Sequence, residues 1–177
     1  MSFKLYTTPI AYTSDRTSKR EREVAATQKL VREVFGEKAH LTHTPSGAPV
    51  ISSSPLQAIS ISHCSDTCVL AVATDPDINI GVDIETQREQ LQRVANKFLT
   101  PDEIQMTATR EAFTLLKAWT AKEAVFKCAL TPGLAFHEIH LHPTLEHAEA
   151  RGQLFSLHYP LVTPTHVMAV ALSSPHS

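Results

Sequence analysis

The chain has 177 residues, 42 % of them hydrophobic, and a formal net charge of −2, which suits a soluble globular fold of one domain or of two small halves sharing a core and excludes extended disorder. So small a charge exerts no global pull on nucleic acid, and an anionic ligand has to be met by a local basic cluster. Three cysteines, Cys64, Cys68 and Cys128, lack a CxxC pair and argue against a disulfide framework and against structural zinc.

Met1 to Tyr6 show no basic segment followed by an apolar one, and no apolar run reaches membrane-span length, so cytoplasm is the expected address. Arg16, Lys19, Arg20 and Arg22 then open a helical pattern that runs through Val24, Leu30, Val31, Val34 and Phe35 and ends near Gly36, with Ser14 or Asp15 available as caps. Cations normally avoid that end of a helix dipole. The cluster reads either as an anion collector or as a solvated face balanced by Glu21 and Glu23. With five glycines and no GxGxxG or GxxxxGK loop, a nucleotide-like ligand would be held by side chains rather than by backbone.

Residues 40–57 are rich in Thr, Ser, Pro and Gly and read as a loop. Ile59 to His63 alternates as a strand, Thr67 to Ala73 returns as a second after a turn at Ser65 and Asp66, and Asp75-Pro76-Asp77 turns the chain into a third, giving a three-strand meander. In the third strand Ile78, Ile80, Val82 and Ile84 alternate with Asn79, Gly81, Asp83 and Glu85. Two carboxylates therefore share the face opposite the aliphatic set, roughly 7 Å apart along the backbone, close enough to lean onto one hard cation.

Thr100-Pro101-Asp102-Glu103 carries a capping box with proline at N1, which predicts a short helix and gives Glu103 a capping role first. The polar stretch 86–110, with Arg88, Arg93, Lys97 and Arg110, is a candidate surface for an acidic protein partner. Leu116, Trp119, Glu123 and Phe126 then recur at helical spacing without Gly or Pro. Glu123 interrupts that stripe, so it must titrate, pair or bind metal; Lys127, one turn on, is either its partner or a contact for the same anion. His137-Glu138-Ile139-His140 lacks the HExxH spacing, and Phe136 to Leu141 reads as a strand, which sets aside a metalloprotease. The 67–73 pattern returns at 165–171, an offset that also lays the helix at 18–35 over 116–133, so the chain reads as a duplication with its carboxylates facing the seam.

Gly81-Val82-Asp83-Ile84-Glu85, then, after residues 86–118, Trp119-Thr120-Ala121-Lys122-Glu123-Ala124-Val125-Phe126-Lys127, resemble the paired motifs of the 4′-phosphopantetheinyl transferases. Ile61-Ser62-His63 is similar to that family's Ile-Ser-His-Ser, with Cys64 replacing the last serine, and Gly47-Ala48-Pro49 to its Gly-Lys-Pro, with Ala48 replacing the lysine. Phe98 to Glu103 resembles the segment that precedes the family's helix.

The resemblance implies an α+β fold built as a pseudo-twofold duplication of two similar halves, each a small antiparallel sheet packed on a long helix. Residues 1–75 would carry the phosphate-binding helix and the His63 strand, and residues 76–177 the carboxylates and the Glu123/Lys127 helix. It implies Mg²⁺ on Asp83, Glu85 and Glu123; coenzyme A as co-substrate on Arg16, Lys19, Arg20, Ser62, His63 and Lys127; and Glu123 and Lys127 as the catalytic pair. The implied activity is that of a holo-[acyl-carrier-protein] synthase, moving 4′-phosphopantetheine to a serine of an acyl or peptidyl carrier protein. The expected partners are the carrier protein and coenzyme A, with neither nucleic acid nor membrane, and the expected state is a monomer. Two rivals stand beside it: another Mg²⁺-dependent phosphotransferase using the same acids, and a non-catalytic coenzyme A or carrier-protein binder, toward which Ala48 and Cys64 point.

Overall fold

A computed structural model describes residues 2–12 and 17–173. Its first sheet is built around β5 (Thr67–Ala73), an aliphatic strand buried on both faces, with β1 (Phe3–Pro9) on one side and β4 (Ile59–His63) on the other, both antiparallel. Helix α1 (Lys19–Phe35) covers one face of this sheet, packing Ala26, Leu30 and Val31 on Cys68, Leu70 and Val72. Its cap is Ser18, in a reciprocal box with Glu21; Ser14, Asp15 and Arg16 lie outside the described residues.

The second sheet is also antiparallel, in the order β6 (Ile80–Thr86), β10 (His166–Ser173), β9 (Gln153–Val162), β8 (His147–Ala150) and β7 (Ile139–Leu141). Between β6 and the rest of this sheet the chain forms α2 (Gln90–Phe98), α3 (Pro101–Thr109) and α4 (Leu115–Ala129). Helix α4 lies across β6 and β10, while the opposite faces of those strands meet β5 in a shared core of Val69, Ala71, Val82, Ile84, Met168 and Val170. The sheets are unequal, three strands against five. Among the described residues no helix is long and apolar enough to cross a membrane.

Four expectations are corrected here. The 59–85 stretch is not a meander: β6 leaves β5 and pairs with β10 instead. At the seam two hydroxyls on β4 take over from a backbone ladder, Ser60 Oγ accepting from Val82 N at 2.9 Å and Ser62 Oγ from Ile84 N at 3.3 Å. Residues 40–57 contain a two-stranded hairpin, β2 (Leu41–His43) with β3 (Pro49–Ile51), turned through Gly47 at φ 87°. The polar stretch after β6 contains α2, anchored by Leu91 and Phe98. Phe136–Glu138 is a 3₁₀ turn, and its strand begins only at Ile139.

Candidate functional site

Gly81 sets the site by having no side chain. A Cβ at that position would sit 2.0 Å from the carbonyl oxygen of Ala124 and 2.6 Å from the amide of Cys128, so only glycine lets α4 close onto β6. Two residues along the same face, Asp83 is pressed beneath the helix turn that carries Glu123 and Lys127 and is 4 % exposed. Its Oδ1 accepts from Ser62 Oγ at 2.8 Å and from Lys127 Nζ at 2.7 Å, while Oδ2 is buried with no hydrogen-bond partner among the described residues. Burial pushes the Asp83 carboxyl up, and the Lys127 ammonium and Ser62 hydroxyl pull the other way.

Lys127 is fully engaged. Besides Asp83 it donates to Ser62 Oγ at 3.1 Å and to Val82 O at 3.2 Å, which uses all three ammonium hydrogens. The Ser62 hydroxyl in turn donates to Asp83 and accepts from Lys127 and Ile84 N, so its capacity is also exhausted. The sequence offered Lys127 as the partner of Glu123 or as an anion contact; the structure pairs it with Asp83 instead.

Glu85 is aimed by two neighbours: Trp119 Nε1 donates to its Oε1 at 3.1 Å, and Arg88 pairs with its Oε2. Trp119 is itself fixed edge-on to Phe98 at 4.9 Å and stacked on Phe136 at 5.3 Å. Glu123, half-buried, has its carboxyl pushed up to about 7, first by burial and then by the charge of Asp83, against the pull of Lys127. Glu85 adds to that push. Asp83, raised by burial and with an orphaned buried oxygen, and Glu123, raised by burial and by the charges of Asp83 and Glu85, supply with Glu85 oxygen donors whose missing component is positive charge. The residues fit a hard divalent cation.

Lys122, beside Glu123 in sequence, does something else. Fully buried, it forms an ion pair with Glu103 Oε2 at 2.6 Å and donates to Phe136 O at 3.1 Å. Glu103 completes its capping box at Thr100 N and also accepts from Leu141 N at 2.9 Å. The pair therefore pins α3, α4 and β7 together behind the site. Desolvation lowers the Lys122 ammonium, with Glu103 opposing.

A cleft of about 1240 Å³ opens between α1, the β2–β3 hairpin and the end of α4. Its wall carries Arg20, Arg32, His40, His43, His63 and Lys127 against a single acid, Glu23, the balance wanted by an anionic ligand. Ala48 is on that wall too. Lys19 reaches Glu23 Oε1 at 3.5 Å and His63 Nδ1 reaches the same oxygen at 3.4 Å, so Glu23 sits between two of the expected phosphate contacts. Arg20 is exposed, with no ion-pair partner among the described residues. Arg22, by contrast, is spent on Thr17 O and on the face of Tyr12. Lys127 belongs to both places, bonded to Asp83 and lining the cleft.

Of the residues singled out in the sequence, the structure bonds Lys127 to Asp83 and sets Glu85 and Glu123 where their charges act on one another. Sequence reasoning missed Trp119 as the group that aims Glu85, Glu23 as the counter-charge of the cleft, and Lys122–Glu103 as a buried staple. Only the last had a local signal, a lysine and a glutamate each standing at an otherwise apolar helix position. The family model of the 4′-phosphopantetheinyl transferase superfamily matches residues 79–170, just over half of the chain, a span holding all three acids, Trp119 and Lys127. No curated protein matches the chain significantly.

Proposed function

The chain belongs to the 4′-phosphopantetheinyl transferase superfamily, and from that premise we propose that it moves the 4′-phosphopantetheine group of coenzyme A onto a serine hydroxyl of an acyl or peptidyl carrier protein, acting as a holo-[acyl-carrier-protein] synthase. The observation that carries this reading is Lys127, which is bonded to Asp83 and also lines a basic cleft, while the charges of Asp83 and Glu85 act on Glu123 beside it.

In this reading Asp83, Glu85 and Glu123 hold Mg²⁺, which when bound draws charge off the coenzyme A pyrophosphate. The carrier serine oxygen forms its bond to the β-phosphorus as the bond from that phosphorus to the bridging oxygen breaks. Adenosine 3′,5′-bisphosphate leaves with the electron pair. The serine proton goes to Glu123, the acid that α4 carries one turn before Lys127. Lys127 exchanges its bonds to Asp83 and Ser62 for the departing bisphosphate. Arg20 and His63 hold the phosphates in the cleft, Lys19 and, by its place in the sequence, Arg16 assist as further phosphate contacts, none of them takes part in bond breaking, and Ser62 contributes through the two groups it aligns.

The same reading retains the pseudo-twofold duplication, with halves at 1–75 and 76–177. Its support is that β5 and β10 are each flanked on both sides by antiparallel partners and each packed on a long helix, α1 or α4.

Mass spectrometry of apo acyl and peptidyl carrier proteins incubated with the chain, coenzyme A and Mg²⁺ tests the proposal. The carrier is expected to gain the mass of phosphopantetheine at its serine. Coenzyme A binding without any mass gain would make the chain a binder and end the catalytic reading.

A further inference from the structure

Away from the three acids, the fold brings together a set of side chains that sequence spacing keeps apart. Cys64 follows the last residue of β4, Asp66 sits in the turn to β5, and His166 opens β10, 100 positions further on. One ligand atom from each lies within 4.8 Å of the others. Cys64 Sγ is 3.2 Å from Asp66 Oδ1, and His166 Nε2 is 3.3 Å from Asp66 Oδ2. In a tetrahedral site with metal–ligand bonds of about 2.0–2.3 Å, ligand atoms stand roughly 3.4–3.6 Å apart; the thiol and the imidazole stand near that distance from different oxygens of Asp66, so one oxygen has to turn toward both and the set, now within 4.8 Å, has to contract around an ion.

The surroundings are those of a ligand set and not only of a turn. His166 Nδ1 is tied to Thr165 Oγ1 at 2.9 Å, which leaves Nε2 directed at Asp66, the arrangement by which a second hydrogen bond fixes a ligating imidazole. Thr67 Oγ1 donates to Asp66 Oδ1 at 2.9 Å and orients the carboxylate. The turn itself is closed by Cys64 N to Thr67 O at 2.9 Å, so the thiol and the carboxylate keep their relative positions without help from His166. Cys64 is buried, His166 partly so, and Asp66 exposed, which leaves a path for an ion and a position for water.

We propose that Cys64, Asp66 and His166 bind a borderline-soft divalent cation of the zinc class, joining the β4–β5 turn to the first residue of β10. Sulfur and imidazole select such an ion over Mg²⁺ or Ca²⁺, which prefer oxygen alone. The thiol proton passes to solvent as the metal–sulfur bond forms, and water completes the fourth position. The link spans the same seam as the acid site: Cys64 lies two residues beyond Ser62, and His166 is paired with Thr86, next to Glu85. A clamp here holds the registers that bring Ser62 to Asp83. The paucity of paired cysteines argues against zinc only for ligands close in sequence, and this set is not.

Co²⁺ added to the metal-free, full-length protein provides the probe, because a thiolate ligand gives a charge-transfer absorption that oxygen ligands do not. One equivalent is expected to produce that band, with excess Mg²⁺ leaving it in place and Zn²⁺ abolishing it. Cys64→Ser and His166→Ala are expected to lose the band, and Cys68→Ser to keep it. Thr165→Ala, which leaves all three ligands in place, is expected to keep the band with affinity lower by about 10–100-fold. A wild-type protein without the band, a Cys64→Ser protein that retains it, or a Thr165→Ala protein with unchanged affinity would each overturn the proposal.

Discussion

Lys127 occupies one oxygen of Asp83 at 2.7 Å and leaves the other without a hydrogen-bond partner among the described residues, so the most deeply buried acid of the site is half neutralised. The ammonium stands in for part of a cation's charge. It sits on the cleft side, where a phosphate would compete with Asp83 for it.

This makes metal and lysine alternatives. Lys127→Met strips Asp83 of its counter-charge at a site that is not fully dry, and the expected loss is about 2–3 kcal/mol of metal-free stability, below the about 3–5 kcal/mol typical of a wholly buried pair. Mg²⁺ is expected to stabilise the Met variant more than wild type, since three acids then face the ion without an internal rival. Urea unfolding with and without Mg²⁺ reads both effects, and an equal or smaller increment in the variant would refute the substitution.

Glu123 sets the pH response of the metal-free protein. Its carboxyl lies at about 7 in the fold against 4.5 ordinarily, so between those values the native state holds a proton that the unfolded chain has lost. Stability therefore falls as pH rises from about 4.5 to about 7 and levels off above. Burial moves Asp83 in the same direction and reinforces the trend. Mg²⁺ needs the ionised acids, so it is expected to raise the melting temperature more at pH 8 than at pH 5. Glu123→Gln is expected to flatten the metal-free profile over that window; an unchanged profile would place the titration elsewhere.

Lys122 and Glu103 are expected to separate stability from chemistry. Lys122→Met leaves the Glu103 carboxylate buried with two amide donors and no counter-ion, at a cost of about 3–5 kcal/mol. Adding Glu103→Gln removes the stranded charge and is expected to recover much of that loss. The Mg²⁺ dependence of transfer should be that of wild type in the double variant. Denaturant midpoints and a metal titration check this, and a loss of transfer at normal stability would move the pair into the reaction.

The acids were legible because charge interrupts an apolar pattern: Asp83 and Glu85 in the strict alternation of β6, Glu123 in the stripe of α4. What surrounds them was not. That β6 joins β10 and is bonded to β4 through the hydroxyls of Ser60 and Ser62 is a tertiary choice, written in hydroxyl-to-amide bonds that no periodicity reports. Strands β2 and β3 are three residues each, too short for alternation to register. Helix α2 buries only Leu91 and Phe98 fully, so its residues read as polar surface. Glu23 and His63 meet across 40 positions, and nothing local in either segment announces the other.

The decisive substitution is Glu123→Gln, because it keeps size, helix propensity and one oxygen ligand while removing the ability to take a proton and the charge. If Glu123 accepts the serine proton, single-turnover transfer is expected to fall by about 10²–10⁴-fold, with coenzyme A affinity at saturating Mg²⁺ nearly unchanged. If its contribution is only to hold the ion, raising Mg²⁺ restores most of the rate, because the lost affinity is overcome by concentration. Burial first, and then the charge of Asp83, raise the Glu123 carboxyl in the metal-free protein, and a site that favours a proton on this group favours the first outcome. Single-turnover rates across a Mg²⁺ titration distinguish the two, and wild-type rates at every concentration would remove Glu123 from the mechanism.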